Sequence, residues 1–362
     1  MGLLTSIAAF VVVLGILILV HELGHFLVAK WVGVSVLRFS LGFGPKVWGF
    51  QRGETEYRLS AIPLGGYVKM LGEDQEDEVP AEQLARSFGQ QRVSKRAAIV
   101  FAGPLCNVLL ALVIFTITFS LTGMAYLTTT IASVEAESPA AKAGVQADDK
   151  ILEVNGSPLM NWEDLPQIIE ANASHPIAVK LQRGQEQLTL HIQPEIRKES
   201  NIFGEPITRA VIGVKCKTEI RRLNPIMAGY YSLVKTWDLT QLFFVTIIKL
   251  VQRVIPMNTL GGPILIAQMA GQQAKEGLLN LAAFTAFISV NLAVINLLPI
   301  PILDGGHLLF FLLEAILGRP VSPRKMEYAQ RVGLVLLIAL MLVVFYNDIM
   351  RLILGAKKGL AP

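Results

Sequence analysis

Cysteine is nearly absent from this 362-residue chain: Cys106 and Cys216 are the only two, far apart and in unlike contexts. That excludes a disulfide framework and a CxxC metal site, and leaves two unpaired thiols. Charge is also scarce, with 17% Asp, Glu, Lys and Arg and a net charge of +4. No stripe of basic residues interleaved with aromatics exists, which excludes nucleic acid as a partner. Apolar residues are what the chain has in quantity, at 52% with a mean hydropathy of +0.51. That is too apolar for an ordinary soluble enzyme and defines an integral membrane protein.

Four stretches are long and apolar enough to span a bilayer, which takes roughly 20 residues. The first lies in residues 1–31 and the second is 97–122. The third is 278–304, free of charge until it stops at Asp304. The fourth is 332–354, with Arg331 and Arg351 placed to snorkel at its ends. The first stretch lacks a basic n-region and a small-residue cleavage site, and its apolar core is too long, so it reads as a retained span rather than a cleaved signal peptide.

The segments between are unlike one another. Residues 32–96 begin rich in Gly, β-branched and aromatic residues and read as one or two hairpins at the membrane surface. The acidic run Glu73 to Glu78 within them reads as a solvated loop. Residues 126–198 read as a small α/β or mostly-β domain. It has a tight Asn155-Gly156 turn, a helix over Trp162 to Ala171 with Asn161 as N-cap, and a hairpin about Arg183-Gly184. Residues 199–277 are a linker containing an amphipathic helix, and 305–331 a loop. In 225–255, Lys235, Asp238, Lys249 and Arg253 are too many charges for a span, so that helix belongs at the interface or flanking the bundle.

One motif carries chemistry. His21-Glu22-Leu23-Gly24-His25 lies inside the first apolar stretch. HExxH on a helix sets two imidazoles one turn apart on one face, able to bind one Zn²⁺, with the Glu placed to act as general base on a bound water. Charge is expensive inside a bilayer, so Glu22 there is a functional residue by default.

Topology supplies a third group. Lys30, Lys95 and Arg96 flank the first loop, and Arg319, Arg324, Lys325 and Arg331 fill the last. By the positive-inside rule both loops are cytoplasmic and the termini and central segment lie outside, although Lys357 and Lys358 count against this. Spans one and three then run the same way. His21 lies about 27 Å beyond Leu3 at 1.5 Å per residue, and a tilted third span brings Asp304 to a similar depth. Catalytic zinc sites take three protein ligands and leave the fourth position for water, which makes Asp304 the candidate third ligand.

These features resemble the site-2 protease family of intramembrane zinc metalloproteases, peptidase family M50, along nearly the whole chain. His21-Glu22-Leu23-Gly24-His25 matches its HExxH. Asn296-Leu297-Leu298-Pro299-Ile300-Pro301-Ile302-Leu303-Asp304-Gly305 matches its NxxPxPxxDG motif, and Gly103-Pro104-Leu105-Cys106-Asn107 resembles its GPxxN element. Residues 128–197 resemble a PDZ domain, with Ser138-Pro139-Ala140 and Asn155-Gly156 in the expected places. The branch that fits best is the bacterial one containing the anti-sigma-factor protease. Members of that branch often carry two PDZ domains, but residues 199–226 are too short for a second one.

The resemblance implies a polytopic α-helical membrane protein with four transmembrane helices, a membrane-associated β-hairpin region and an inserted periplasmic PDZ domain. It implies location in the bacterial inner membrane, with the active site near the cytoplasmic side and one Zn²⁺ held by His21, His25 and Asp304. The implied substrate is a single-span membrane protein, such as an anti-sigma factor already trimmed by another protease or a signal-peptide remnant. The PDZ domain would filter by size or bind a peptide C-terminus.

Other residues admit two readings. Asn296 and Asn107 can join helices by hydrogen bonds or contact substrate, and the resemblance favours a substrate role for Asn296. Gly65-Gly66 can be a plain turn or part of a strand edge that pairs with an unwound substrate. His307 can support the metal site or begin a helix. Two other classes of protein are open at this stage: a metal transporter, which would show polar residues along several helices, and a membrane-anchored PDZ scaffold, which leaves the zinc residues without a purpose.

Overall fold

Apolar runs broken by Pro and Gly set the element boundaries. The computed structural model describes residues 2–73 and 79–358, so all of the acidic run but Glu73 lies outside the described residues. The chain begins with α1 (Gly2–Trp31), β1 (Val36–Arg52), β2 (Thr55–Met70) and α2 (Val93–Thr122). There follow β3 (Met124–Val134), α3 (Pro139–Lys142), β4 (Lys150–Val154), β5 (Ser157–Pro158), α4 (Leu165–Ala171), β6 (Ile177–Arg183) and β7 (Glu186–Ile192). Then come β8 (Glu195–Ser200), β9 (Pro206–Val211), β10 (Val214–Arg221), α5 (Pro225–Val251), α6 (Pro263–Glu276), α7 (Leu278–Asn296), α8 (Asp304–Leu317) and α9 (Pro323–Lys358). Two compact units result. One comprises residues 1–118, 227–248 and 256–362, the other 119–226 and 249–255.

In the first unit four helices are long and apolar enough to cross a membrane: α1, α2, α7 and Arg324–Leu354 of α9. These are the four expected spans, with one correction. The third does not continue to Asp304, because Pro299 and Pro301 cannot sustain a helix. It stops at Asn296, and 297–303 turn the chain back so that Asp304 opens α8. The 305–331 region is correspondingly helical at both ends rather than a loop: 305–317 belong to α8 and 323–331 open α9.

The 199–277 region is likewise more ordered than a linker. Within it α6 packs on α1 and α7 through Ala9, Val13, Leu17, Ala270 and Phe284. Its first turn is held by Asp348 of α9, which accepts N–H groups from Gly262, Ile264 and Leu265 at 3.0–3.1 Å. A carboxylate on a helix N-terminus satisfies orphan donors and meets the favourable end of the helix dipole. Arg351 does not simply snorkel: it donates to the Asn258 carbonyl at 2.6 Å.

The expected hairpin is a single folded sheet. Arg38–Leu41 of β1 lies between two stretches of β2, with Leu41 opposite Gly66 on one side and Leu59 on the other. Ala29, Val34, Val36, Phe39, Val68, Met70 and Ile99 bury its inner face against the ends of α1 and α2.

The second unit is built on the sheet order β10-β3-β4-β6-β7. Ile177, Val179 and Leu181 alternate into its core, as period-two patterning requires. The Asn155-Gly156 turn carries φ of 50° and 78°, which suits a two-residue hairpin. Two expectations are corrected here. The expected end at residue 198 is too early, because β10 pairs along β3 and Ile212 enters the core, covering an edge β3 would otherwise leave open. Asn161 makes no cap hydrogen bond; a short 3-10 turn over Trp162–Asp164 precedes α4 instead.

A half-buried ion pair locks this unit. Asp149 is fully buried and accepts from Arg183 at 2.8 and 2.7 Å and from the Gln146 N–H at 2.8 Å. Burial pushes its carboxyl up, but the Arg183 and Gln146 hydrogen bonds and the guanidinium charge outweigh that and hold it below its ordinary value. The stabilisation is therefore present above about pH 4, the ordinary carboxylate value, and is lost as the pH falls below it. Arg183→Ala leaves a buried carboxylate unpaired and is expected to cost this unit about 2 kcal/mol, between the exposed-pair and buried-pair ranges. In the full-length chain, amides of β4, β6 and β7 should then exchange about thirtyfold faster; unchanged protection would refute the assignment.

Candidate functional site

His21 and His25 sit one helical turn apart on α1 and are both about nine-tenths buried, each 8% exposed. Their Nε2 atoms are 3.2 Å apart. The turn after α7 and the start of α8 bring Asp304 to them, with Oδ2 at 3.2 Å from His21 Nε2 and Oδ1 at 3.6 Å from His25 Nε2. Gly305 and Gly306 permit this turn. A Cβ on Gly305 would lie 2.3 Å from the Leu297 and Leu298 carbonyl oxygens, and one on Gly306 would lie 2.3 Å from that of Ile300. The Asp-Gly-Gly run is thus a packing requirement of the fold-back.

The three groups fit a divalent metal. Tetrahedral zinc with bonds of about 2.0–2.2 Å sets its ligands roughly 3.3–3.6 Å apart; the two imidazole Nε2 atoms lie 3.2 Å apart, and one ligand atom from each of the three residues falls within 4.8 Å of the others. Asp304 Oδ2 is buried with no hydrogen-bond partner; a carboxylate oxygen facing two imidazoles is costly unless a cation joins them. His25 Nδ1 lies 2.9 Å from the Ile99 carbonyl, which can only accept, so Nδ1 carries the proton and the Nε2 lone pair is free for a metal.

Helix α2 closes over the imidazoles because its residue there is glycine. A Cβ on Gly103 would lie 2.3 Å from His25 Nε2 and 2.9 Å from His21 Cε1, and one on Gly24 would lie 2.4 Å from the Ala102 carbonyl oxygen. Gly103→Ala is therefore expected to displace both rings and strip the bound metal. Gly15→Ala, with nothing within 4 Å, should leave it intact. Zinc content of the two purified proteins checks this, and full metal in Gly103→Ala would refute it.

The other expected residues fall into place unequally. Glu22 is partly buried between the two histidines in sequence, and Gly66 presses on it: a Cβ there would lie 3.0 Å from Glu22 Cγ. Gly65 holds φ of 101° against the Phe43 ring, where only glycine fits. Gly66 to Met70 pair with β1 on one side only among the described residues, which makes them an edge. Asn296 reaches the site, with Nδ2 at 3.4 Å from His21 Nε2. Asn107 is fully buried, with Nδ2 at 3.3 Å from His21 Nδ1. His307 lies in the first turn of α8 and is not among the three converging ligand groups. The sequence does not single out Gly103 or Gly24 as determinants of the site, although both stand within the HExxH and GPxxN motifs, on apolar helices.

Apolar spans around a His–His–Asp cluster define a membrane-embedded metal site. Comparison with known proteins agrees: Peptidase family M50 matches residues 9–340, and the chain belongs to that family. A Mesorhizobium japonicum relative whose name designates a zinc metalloprotease is 37% identical over 362 residues, covering 96% of this chain and 99% of its own. Protease RseP of Yersinia pestis is 34% identical over 455 residues, covering 97% of this chain and all of its own. Regulator of sigma-E protease RseP of Salmonella typhimurium is 32% identical over 450 residues with the same coverage. The last two alignments are longer than this chain, so those relatives carry a stretch it lacks.

Proposed function

We propose that the chain is an intramembrane endopeptidase of the bacterial inner membrane that cuts the spanning segment of single-span proteins. The observation that carries this is the His21–His25–Asp304 cluster buried among apolar helices. His21, His25 and Asp304 hold one Zn²⁺, which when bound polarises the scissile carbonyl and lowers the pKa of water towards about 7. Glu22 takes the proton of the attacking water on its carboxylate and delivers it to the leaving amine nitrogen. Asn296 donates its amide N–H to the carbonyl oxygen as negative charge develops there.

A membrane-spanning helix hides its carbonyls in its own hydrogen bonds. The substrate is therefore held unwound, and Gly66 to Met70, an edge beside Glu22, pairs with it in extended form. The basic residues that flank the first and last loops support a topology with the termini and the PDZ-like second unit on the periplasmic side and the cluster towards the cytoplasm. The second unit filters substrates by size or binds a newly made C-terminus. The natural substrate is an anti-sigma factor already trimmed outside the membrane, or a signal-peptide remnant.

The test is a reconstitution. Purified chain in liposomes, given a single-span substrate and a soluble polypeptide, is expected to cut the former within its span, as mass spectrometry of the fragments would record. Cleavage confined to residues outside the span, or equal cleavage of the soluble chain, would overturn the proposal.

A further inference from the structure

We propose that Asn107 is a positioning residue whose carboxamide oxygen fixes which nitrogen of His21 faces the metal; this rests on the metal-site reading above. The two histidines are anchored differently. His25 has the Ile99 carbonyl at 2.9 Å from Nδ1. On the Nδ1 side of His21 stands the Asn107 carboxamide, with Nδ2 at 3.3 Å, while Nε2 points to His25 and Asp304 at 3.2 Å each.

For a neutral imidazole to offer Nε2 to a metal, Nδ1 must carry the proton and needs an acceptor. Asn107 Oδ1 is buried and has no hydrogen-bond partner. The two ends of a carboxamide have nearly the same shape, so a half-turn about its last bond puts Oδ1 where Nδ2 stands. That rotation gives the oxygen a donor, the His21 Nδ1–H, and commits Nε2 to the metal. Nδ2, in its present position, serves the opposite tautomer, in which Nε2–H faces Asp304. A carboxamide satisfies both, and a simple acceptor satisfies only the metal-binding one.

The backbone around Asn107 is held for this task. Ser289 of α7 donates its hydroxyl to the Asn107 carbonyl at 2.7 Å, and both residues are completely buried. Three helices thus meet at one residue: α1 at the Asn107 side chain and α7 at its backbone carbonyl. The GPxxN element acquires a division of labour: Gly103 makes room for the imidazoles and Asn107 orients one of them.

The test measures zinc affinity of the full-length chain by competition with a chromophoric chelator, for wild type and for Asn107→Leu, Asn107→Ala and Asn107→Asp. Asp retains an acceptor at the same reach, ionised or not, whereas Leu and Ala have none. Loss of a supporting acceptor is expected to weaken zinc 10–100-fold in the Leu and Ala variants, with Asp within about threefold of wild type. Leu fills the site and Ala empties it, so failure of one to fold leaves the other to decide. Wild-type affinity in the Leu or Ala variant overturns the inference, as does an Asp variant as weak as those two. Failure of the metal-site reading looks different, because wild-type protein would then hold no zinc.

Discussion

Glu22→Gln is expected to bind zinc as the wild type does and to cleave a reconstituted single-span substrate 10²–10⁴-fold more slowly, the range that general acid–base groups contribute. Gln matches Glu in volume, so the packing against Gly66 is undisturbed. What it lacks is the ability to take a proton from water and pass it to the amine. A structural role for Glu22 predicts the opposite pattern, with lost metal or lost folding alongside lost activity. Zinc content and single-turnover cleavage measured on one preparation separate the two. Undiminished cleavage with zinc bound would remove Glu22 as the base.

Asp304→Ala is expected to weaken zinc by more than 100-fold, beyond the 10–100-fold loss that follows removal of a mere supporting partner, and to abolish cleavage. The carboxylate lies 3.2 and 3.6 Å from the two imidazole Nε2 atoms, and its Oδ2 has no hydrogen-bond partner. A neutral Ala removes that buried charge, so the folded metal-free protein should not be destabilised and could be more stable. Weak metal binding in a protein with undiminished thermal stability is therefore the signature of a ligand. Unchanged zinc affinity would dismiss Asp304 from the set.

Much of this arrangement was legible before the fold. The four spans follow from apolar length and scarce charge, and HExxH and Asp304 stand out because polar groups in such helices need a reason. The route that joins them was not legible. A charge-free run up to Asp304 looks like one span, yet Pro299 and Pro301 end the helix, and the chain turns back on carbonyls that only Gly305 and Gly306 can approach. Asp348 falls inside the fourth apolar stretch, where nothing in the sequence gives it a partner. Its task, capping a helix more than eighty residues earlier in the chain, is a tertiary contact with no local signal. The end of the second unit is hidden for a similar reason: β10 joins the sheet beside β3, an element far from it in sequence. Asn107 shows the same limit at the site itself, since its residue type suits helix joining, substrate contact and imidazole orientation equally, and only its place against His21 distinguishes them.

The central claim is that one zinc is held by two imidazoles and a carboxylate drawn from opposite ends of the chain. X-ray absorption at the zinc edge, on the purified full-length protein, tests it most directly. One zinc per chain with only nitrogen and oxygen neighbours at about 2.0–2.2 Å, two of them imidazoles, and loss of that zinc in Asp304→Ala, is the predicted result. A sulfur neighbour at about 2.3 Å, or a zinc shell unchanged in Asp304→Ala, would contradict it.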